Sequence, residues 1–320
     1  MVPLLPHVHR AVDTFAMWTE DRRARDPVPF RAGPAAPLDC FGPLPGLPSS
    51  RPRAGVWRVP SPRPSPGDEA LVVHALPARG SSRGTVLLVP PWKVPSLAAT
   101  AGYARLLART GLDVWTLEPP RHLSRAAPGL RSGEGFVSPD LLVLRRAVEQ
   151  LVVELRVLAA LARGAARDGE QVGLVGLSLG ALAGALAATA PERLDFAALV
   201  GPPADLAAVF GETRIGRRYL ELARRAGAPP PTPGRLAELL APFRPDLRRP
   251  TVERVLVAVG REDRIALPEG GVALARAWGG EARVYPRGHL TLLFACAALR
   301  RDVAGFAYLP AGQPSRAART

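Results

Sequence analysis

From Thr85 onward, short runs of β-branched and aliphatic residues alternate with longer helical segments, and that alternation leaves few folds open. Parallel strands cannot be joined by a tight turn. A repeated strand–helix–strand order therefore implies a mainly parallel sheet with helices on both faces, an α/β class of fold. The strands it predicts are Thr85 to Val89, Asp113 to Leu117, Gln171 to Leu177, Phe196 to Val200, Arg254 to Val259 and Ala282 to Tyr285. Val56 to Val59 and Ala70 to Leu76 read as two further strands, joined by the turn-rich Ser61 to Asp68, that add an antiparallel edge. The best-marked helix starts with Ser138 as N-cap and Pro139 at the first helical position. It carries Leu141, Leu144, Val148, Leu151, Leu155 and Leu158 on one stripe.

Proline content divides the chain. Twelve prolines lie between Pro27 and Pro66, but only Pro139 and Pro191 between Ser138 and Val200, so a folded domain is expected to begin near residue 68 and run to about residue 310. Ahead of it, residues 1–67 form an extension: a helix from His7 to Arg25, closed by Asp26-Pro27, then a proline-rich connector. Val8, Val12, Phe15 and Trp18 share one face of that helix, a stripe suited to the core or to a second copy of the chain. Residues 311–320 read as a flexible tail. Pro203 to Pro250 is too long for an ordinary crossover and is predicted to be a small helical lid, broken by the turn-rich residues 228–234.

The formal net charge of +14 raises the question of nucleic acid. Lys93 is the only lysine among 42 cationic residues, and the arginines are scattered through helices and loops with no block, so a solvated surface is expected and no nucleic-acid partner. Cys40 and Cys296 lie far apart without metal-ligand spacing, and neither a disulfide nor a metal is implied. The opening Met-Val-Pro-Leu-Leu-Pro-His lacks the basic-then-apolar order of a leader, and no apolar run reaches ~18 residues. A cytoplasmic protein without stable membrane insertion is expected.

Chemistry enters at Gly176-Leu177-Ser178-Leu179-Gly180. The G-x-S-x-G pattern suits a tight strand-to-helix turn that lifts a serine hydroxyl above a sheet. Gly80-Ser81-Ser82-Arg83-Gly84 fits the same pattern but stands in a polar loop before a strand, so only Ser178 has the strand–turn–helix context. A serine needs a base, and the base needs an acid to hold its tautomer. Of the five histidines only His289 lies beyond Ser178, where the last strand gives way to a helix. Asp263 turns out of the strand before it, which puts acid, base and nucleophile at one edge of the sheet. Glu262 and Asp205 are the rival acids, Asp205 with a ready alternative role at the start of a helix.

The order Ser178, Asp263, His289, each in its own strand-end context, resembles the α/β-hydrolase superfamily over residues 70–308. That resemblance implies an oxyanion hole made by the backbone N–H of Leu179 and by an N–H after an earlier strand. Here that strand runs into Pro90-Pro91-Trp92-Lys93, and since proline has no N–H, Trp92 supplies the second donor. Pro-Pro-Trp at this place is similar to polyhydroxyalkanoate synthases, which use a cysteine where this chain has Ser178; the stretch Glu118 to Asp140 is similar to an abhydrolase-domain group of eukaryotes and bacteria. Lys93, Arg121 and His122 follow strand ends on the same edge and are candidates to meet an anionic part of a substrate, and Phe210, with Leu206, Val209, Tyr219 and Leu220, to line an apolar entrance. The expected activity is hydrolysis of an ester, or of a thioester or amide, of a hydrophobic acyl group through an acyl-enzyme, without a cofactor. The alternatives are acyl transfer by the same triad and a non-catalytic scaffold of the same fold.

Overall fold

A computed structural model describes residues 6–21 and 28–309. Their eight strands form one sheet in the order β1-β2-β4-β3-β5-β6-β7-β8. The strands are β1 (Gly55–Ser65), β2 (Asp68–Leu76), β3 (Gly84–Val89), β4 (Asp113–Leu117), β5 (Gln171–Leu177), β6 (Phe196–Val200), β7 (Arg254–Gly260) and β8 (Glu281–Tyr285). β1 and β2 are antiparallel to their neighbours, and β3 to β8 run parallel. The continuous apolar runs of the central strands have a simple cause. Every residue of β5 and β6 is buried, because helices cover both faces.

Ten α-helices are found among the described residues: α1 (Pro6–Asp21), α2 (Ala101–Arg109), α3 (Leu141–Ala165), α4 (Leu179–Ala187), α5 (Leu206–Glu212), α6 (Arg214–Arg225), α7 (Pro233–Leu240), α8 (Pro268–Ala277), α9 (His289–Ala295) and α10 (Ala297–Tyr308). Side chains of α3, α4 and α8 build one core against the sheet, and those of α2, α9 and α10 build the other. Helices α5 to α7 make the predicted insertion between β6 and β7. No helix among the described residues is long and apolar enough to cross a membrane.

Three local expectations need correction. The strand expected at Val56 to Val59 is present but runs on through the supposed turn to Ser65, and ahead of it Leu38 and Cys40 are buried in the α3-side core, where the Arg156 guanidinium donates to the Cys40 and Gly42 carbonyls. Prolines misled here. β1 is the sheet's edge, bonded only to β2, so Pro60, Pro62 and Pro64 remove N–H groups that an edge strand can forgo. The N-cap of α3 is Asp140, whose Oδ1 accepts from the Leu142 N–H at 3.0 Å; Ser138 stands outside and accepts from the Asp140 N–H at 3.1 Å. Finally, of the two places open to the apolar stripe of α1, the core of its own chain is not the one it takes. His9, Asp13 and Met17 face inward and are buried, while Val12 (37% exposed) and Phe15 (65%) face out. The side chain of Trp18, the closing Asp26-Pro27 and the tail 311–320 lie outside the described residues.

Candidate active site

Ser178 sits between β5 and α4 with φ 52° and ψ −113°, a left-handed conformation that an L-residue holds only when its surroundings enforce it. The two glycines of the motif explain how. A Cβ on Gly176 would come within 2.4 Å of the Gly180 carbonyl oxygen, and one on Gly180 within 2.3 Å of the Val89 oxygen, so strand, turn and helix touch backbone to backbone. The Ser178 N–H donates to the Val200 carbonyl at 2.8 Å, tying the turn to β6. The decoy behaves as its context predicts: Ser82 Oγ donates to the Asp113 carboxylate at 2.8 Å in the loop before β3.

His289 opens α9, directly after β8. Its Nε2 lies 2.8 Å from Ser178 Oγ and its Nδ1 2.6 Å from Asp263 Oδ2. An ionised carboxylate can only accept, so Nδ1 carries the proton and Nε2 is left to accept from the serine hydroxyl. Asp263 is itself held in place. Its Oδ1 accepts from the Ile265 and Ala266 N–H groups, both at 2.8 Å. Burial alone would push this carboxyl up, but the charge and hydrogen bond of His289, with those two N–H donors, hold it below the usual carboxylate range. Burial likewise pulls His289 down, and the Asp263 carboxylate, with a smaller contribution from Asp13, lifts it above the ordinary histidine value. All three triad groups are largely enclosed, Ser178 at 8% exposure and His289 at 3%.

The rival acids have other partners. Glu262 is paired with Arg10 of α1. Asp205 caps α5, accepting from the Ala208 N–H at 3.1 Å, and pairs with Arg244.

On the opposite side of Ser178, the Leu179 N–H is the first of α4 and has no partner within the helix. The Trp92 N–H makes no hydrogen bond among the described residues. Its loop packs on the nucleophile turn, since a Cβ on Gly180 would also lie 2.8 Å from the Pro90 oxygen. That loop is gripped from the stretch after β4. Trp92 Nε1 donates to the Gly133 carbonyl at 2.8 Å, Ser132 Oγ to the Val94 carbonyl at 2.6 Å, and the Lys93 N–H to His122 Nε2 at 3.0 Å.

This corrects the reading of His122 as a substrate contact. It is fully buried, with Nδ1 donating to the Pro120 carbonyl at 2.8 Å and Nε2 accepting, so it is a neutral post under the Trp92–Lys93 turn. Burial pushes it down to about 4. Gly133, at φ +75°, must be glycine, because a Cβ would come within 2.5 Å of His122 Nε2. Phe210 too is buried; its ring centroid is 6.5 Å from that of Tyr219, which is 6.5 Å from Trp92. These rings link the insertion to the Trp92 loop, and Phe210 presents almost no surface to a ligand. Arg121 serves the loop, its N–H bonded to Asp68 and its guanidinium to the Gly135 carbonyl. Lys93 places its ammonium 4.6 Å from the centre of the Trp92 ring. Two surface hollows, one lined by Leu47, Ser50 and Leu161 and the other by Arg58, Glu69 and Ser124, contain no triad residue.

Sequence reasoning missed the contribution of α1. Asp13 accepts from the N–H groups of His289 (2.7 Å) and Leu290 (3.0 Å), and His9 Nδ1 lies 2.9 Å from Thr291 Oγ1. The only available signal was the spacing of His9, Asp13 and Met17, which places two polar residues on one helical face.

No family model matches the sequence, and no curated protein does. Solved structures do match. Carboxyl esterase 2 of the mycorrhizal fungus Tuber melanosporum is 15% identical over 81% of this chain and 87% of that chain, with a TM-score of 0.55. A monoacylglycerol lipase of Paleococcus ferrophilus is 19% identical over 74% and 98%, with a TM-score of 0.51. The esterase domain of a Rhodothermus marinus protein is 17% identical over 80% and 99%, with a TM-score of 0.50. At these identities the likeness is one of fold: the chain has the α/β-hydrolase fold.

Proposed function

We propose that this chain is a serine hydrolase that cleaves a carboxylic ester of a hydrophobic acyl group through an acyl-enzyme. The observation that carries this reading is the continuous hydrogen-bonded chain Ser178 Oγ–His289 Nε2 and Nδ1–Asp263 Oδ2, at 2.8 and 2.6 Å. As Ser178 Oγ attacks the carbonyl carbon, its proton passes to His289 Nε2 and the carbonyl π pair moves onto oxygen. The Leu179 and Trp92 N–H groups face that oxyanion, each worth roughly 3 kcal/mol in the transition state. The tetrahedral adduct collapses, the C–O bond to the leaving alcohol breaks, and His289 returns the proton to it. Water then repeats the sequence: His289 takes its proton, its oxygen adds to the acyl carbon, and Ser178 leaves reprotonated. Asp263 stays ionised throughout and stabilises the imidazolium. The partly buried Trp92 and Tyr219 rings favour an apolar acyl chain.

The test is labelling with a fluorophosphonate, read by intact mass, on wild type, Ser178→Ala and Ser82→Ala. One adduct on wild type and on Ser82→Ala, and none on Ser178→Ala, is expected. Folded wild-type protein that takes no label refutes the reading. A series of p-nitrophenyl esters of increasing chain length then tests the preference for apolar acyl groups.

A further inference from the structure

The hydrogen-bonded chain at Ser178 does not end at Asp263. A second carboxylate reaches the histidine from the other end of the sequence, and it grips the backbone instead of the ring. Asp13 is fully buried, its Oδ2 accepting from the His289 N–H at 2.7 Å and its Oδ1 from the Leu290 N–H at 3.0 Å. Oδ2 also faces the Arg264 N–H at 3.4 Å, next to Asp263, so one side chain spans both loops that carry the acid and the base. The approach is close on the side of α9. A Cβ added at Gly288 would lie 2.6 Å from Asp13 Oδ2 and 2.8 Å from the His9 carbonyl oxygen. His9 adds a second tie through Thr291 Oγ1, which in turn accepts from the Gly288 N–H at 3.0 Å.

We propose that Asp13 is a positioning residue of the active site: from α1 it fixes the start of α9, holds the His289 imidazole between Asp263 and Ser178, and supplies a second negative charge to the imidazolium formed during acylation. The proposal rests on the serine-hydrolase reading for its kinetics, though not for its geometry. The other titratable or charged groups around this pair are Asp263 on the β7 loop, His9 on α1, Arg287 beside His9, and Glu262 held by Arg10. None of them repeats the contact with the His289 backbone. Asp13 lifts the histidine in the same direction as Asp263; its own carboxyl is held above the usual carboxylate range by burial, which the Leu290 and His289 N–H groups only partly offset.

The experiment compares wild type, Asp13→Asn and Asp13→Glu in p-nitrophenyl ester hydrolysis across pH, together with the titration of His289 followed by NMR on protein labelled at histidine nitrogen. Asp13→Asn keeps at most one of the two acceptors and loses the charge. It is expected to lower kcat about tenfold with KM near wild type, and to move the acid limb of kcat/KM and the NMR midpoint down by ~0.5 unit. Asp13→Glu keeps the charge and should return the limb toward its wild-type position. An Asp13→Asn enzyme within twofold of wild type, with limb and midpoint unmoved, overturns the proposal. If the wild type hydrolyses no ester and takes no fluorophosphonate, the hydrolase reading has failed, and the NMR midpoint alone then decides: lowered in Asp13→Asn upholds the role of Asp13, unmoved overturns it. Should Asp13→Asn not fold, Gly288→Ala pushes Asp13 away while keeping every ionisable group. It must lower the His289 midpoint, and an unchanged one counts against the proposal.

Discussion

Two buried histidines serve this site, one bonded to Ser178 and the other beneath the Trp92–Lys93 turn, and their environments drive them in opposite directions. His289 faces the Asp263 carboxylate and is lifted above the ordinary histidine value; His122 faces a carbonyl oxygen and an N–H and is pushed down to about 4. Burial is common to both and opposes a charge in both. What differs is the partner across the ring. A carboxylate makes a histidine that can take a proton in a reaction, whereas a carbonyl on one nitrogen and an amide on the other make one that must remain neutral to keep its two bonds. In the proposed mechanism the first moves a proton, and the second keeps the Trp92 donor in place.

The comparison breaks most visibly on removal of each ring. His289→Ala is expected to lower kcat/KM by about 10⁴-fold or more, and Asp263→Asn by about 10⁴-fold through the wrong tautomer, with fluorophosphonate labelling slowed in parallel. His122→Ala leaves a buried N–H and a buried carbonyl without partners, and should lower the unfolding free energy by about 2–4 kcal/mol in urea titration. Its kcat should fall roughly tenfold as the Trp92 donor loosens. Equal catalytic losses at the two sites would dissolve the distinction.

The pH dependence sharpens it. The acid limb of kcat/KM should lie above 6.5, because activity is lost as His289 gains its proton, and its own value is raised. His122 acts on stability in a different window. In the unfolded chain it binds a proton below about 6.5, but in the folded chain only below about 4, so unfolding is favoured as pH falls between these values, by up to roughly 3 kcal/mol. His122→Ala should show a shallower decline in Tm over that window. The smallest effect is expected at Lys93→Ala, which removes a cation from the Trp92 face, worth about 0.5–1 kcal/mol. A KM that rises for an anionic ester and not for a neutral one would give Lys93 a role with substrate; equal KM values would confine it to the ring.

The two sides also differ in how far they could be read from the sequence. Ser178, Asp263 and His289 each follow a strand with a strong apolar pattern, and strand ends in a parallel sheet share an edge, so their convergence needed no long-range knowledge. That Trp92 carries the first N–H after β3 was legible from Pro90 and Pro91, and the structure sets its loop against the nucleophile turn. The support behind it was not legible. His122 looked like a loop residue free to meet a ligand, and only the fold of residues 118–136 against Val94 and Lys93 shows that it is enclosed. Asp13 was hidden for a stronger reason: its partner lies 276 residues away, and its helix buries a polar face while the apolar stripe with Val12 and Phe15 faces out. Likewise Pro62 and Pro64 made Ser61 to Asp68 read as a turn, because the edge position of β1 cannot be seen in one dimension.

The grip of α1 on α9 has a consequence for the order in which the molecule is made. Residues 6–21 are synthesised well before their partners at 288–291. Until then the inward polar face of α1 has nothing to bind, and the sheet must assemble through β8 before it does. Docking of α1 therefore closes a loop of 276 residues, and only once α9 has been made. A chain cut short ahead of α9 lacks its base and also leaves its opening helix undocked.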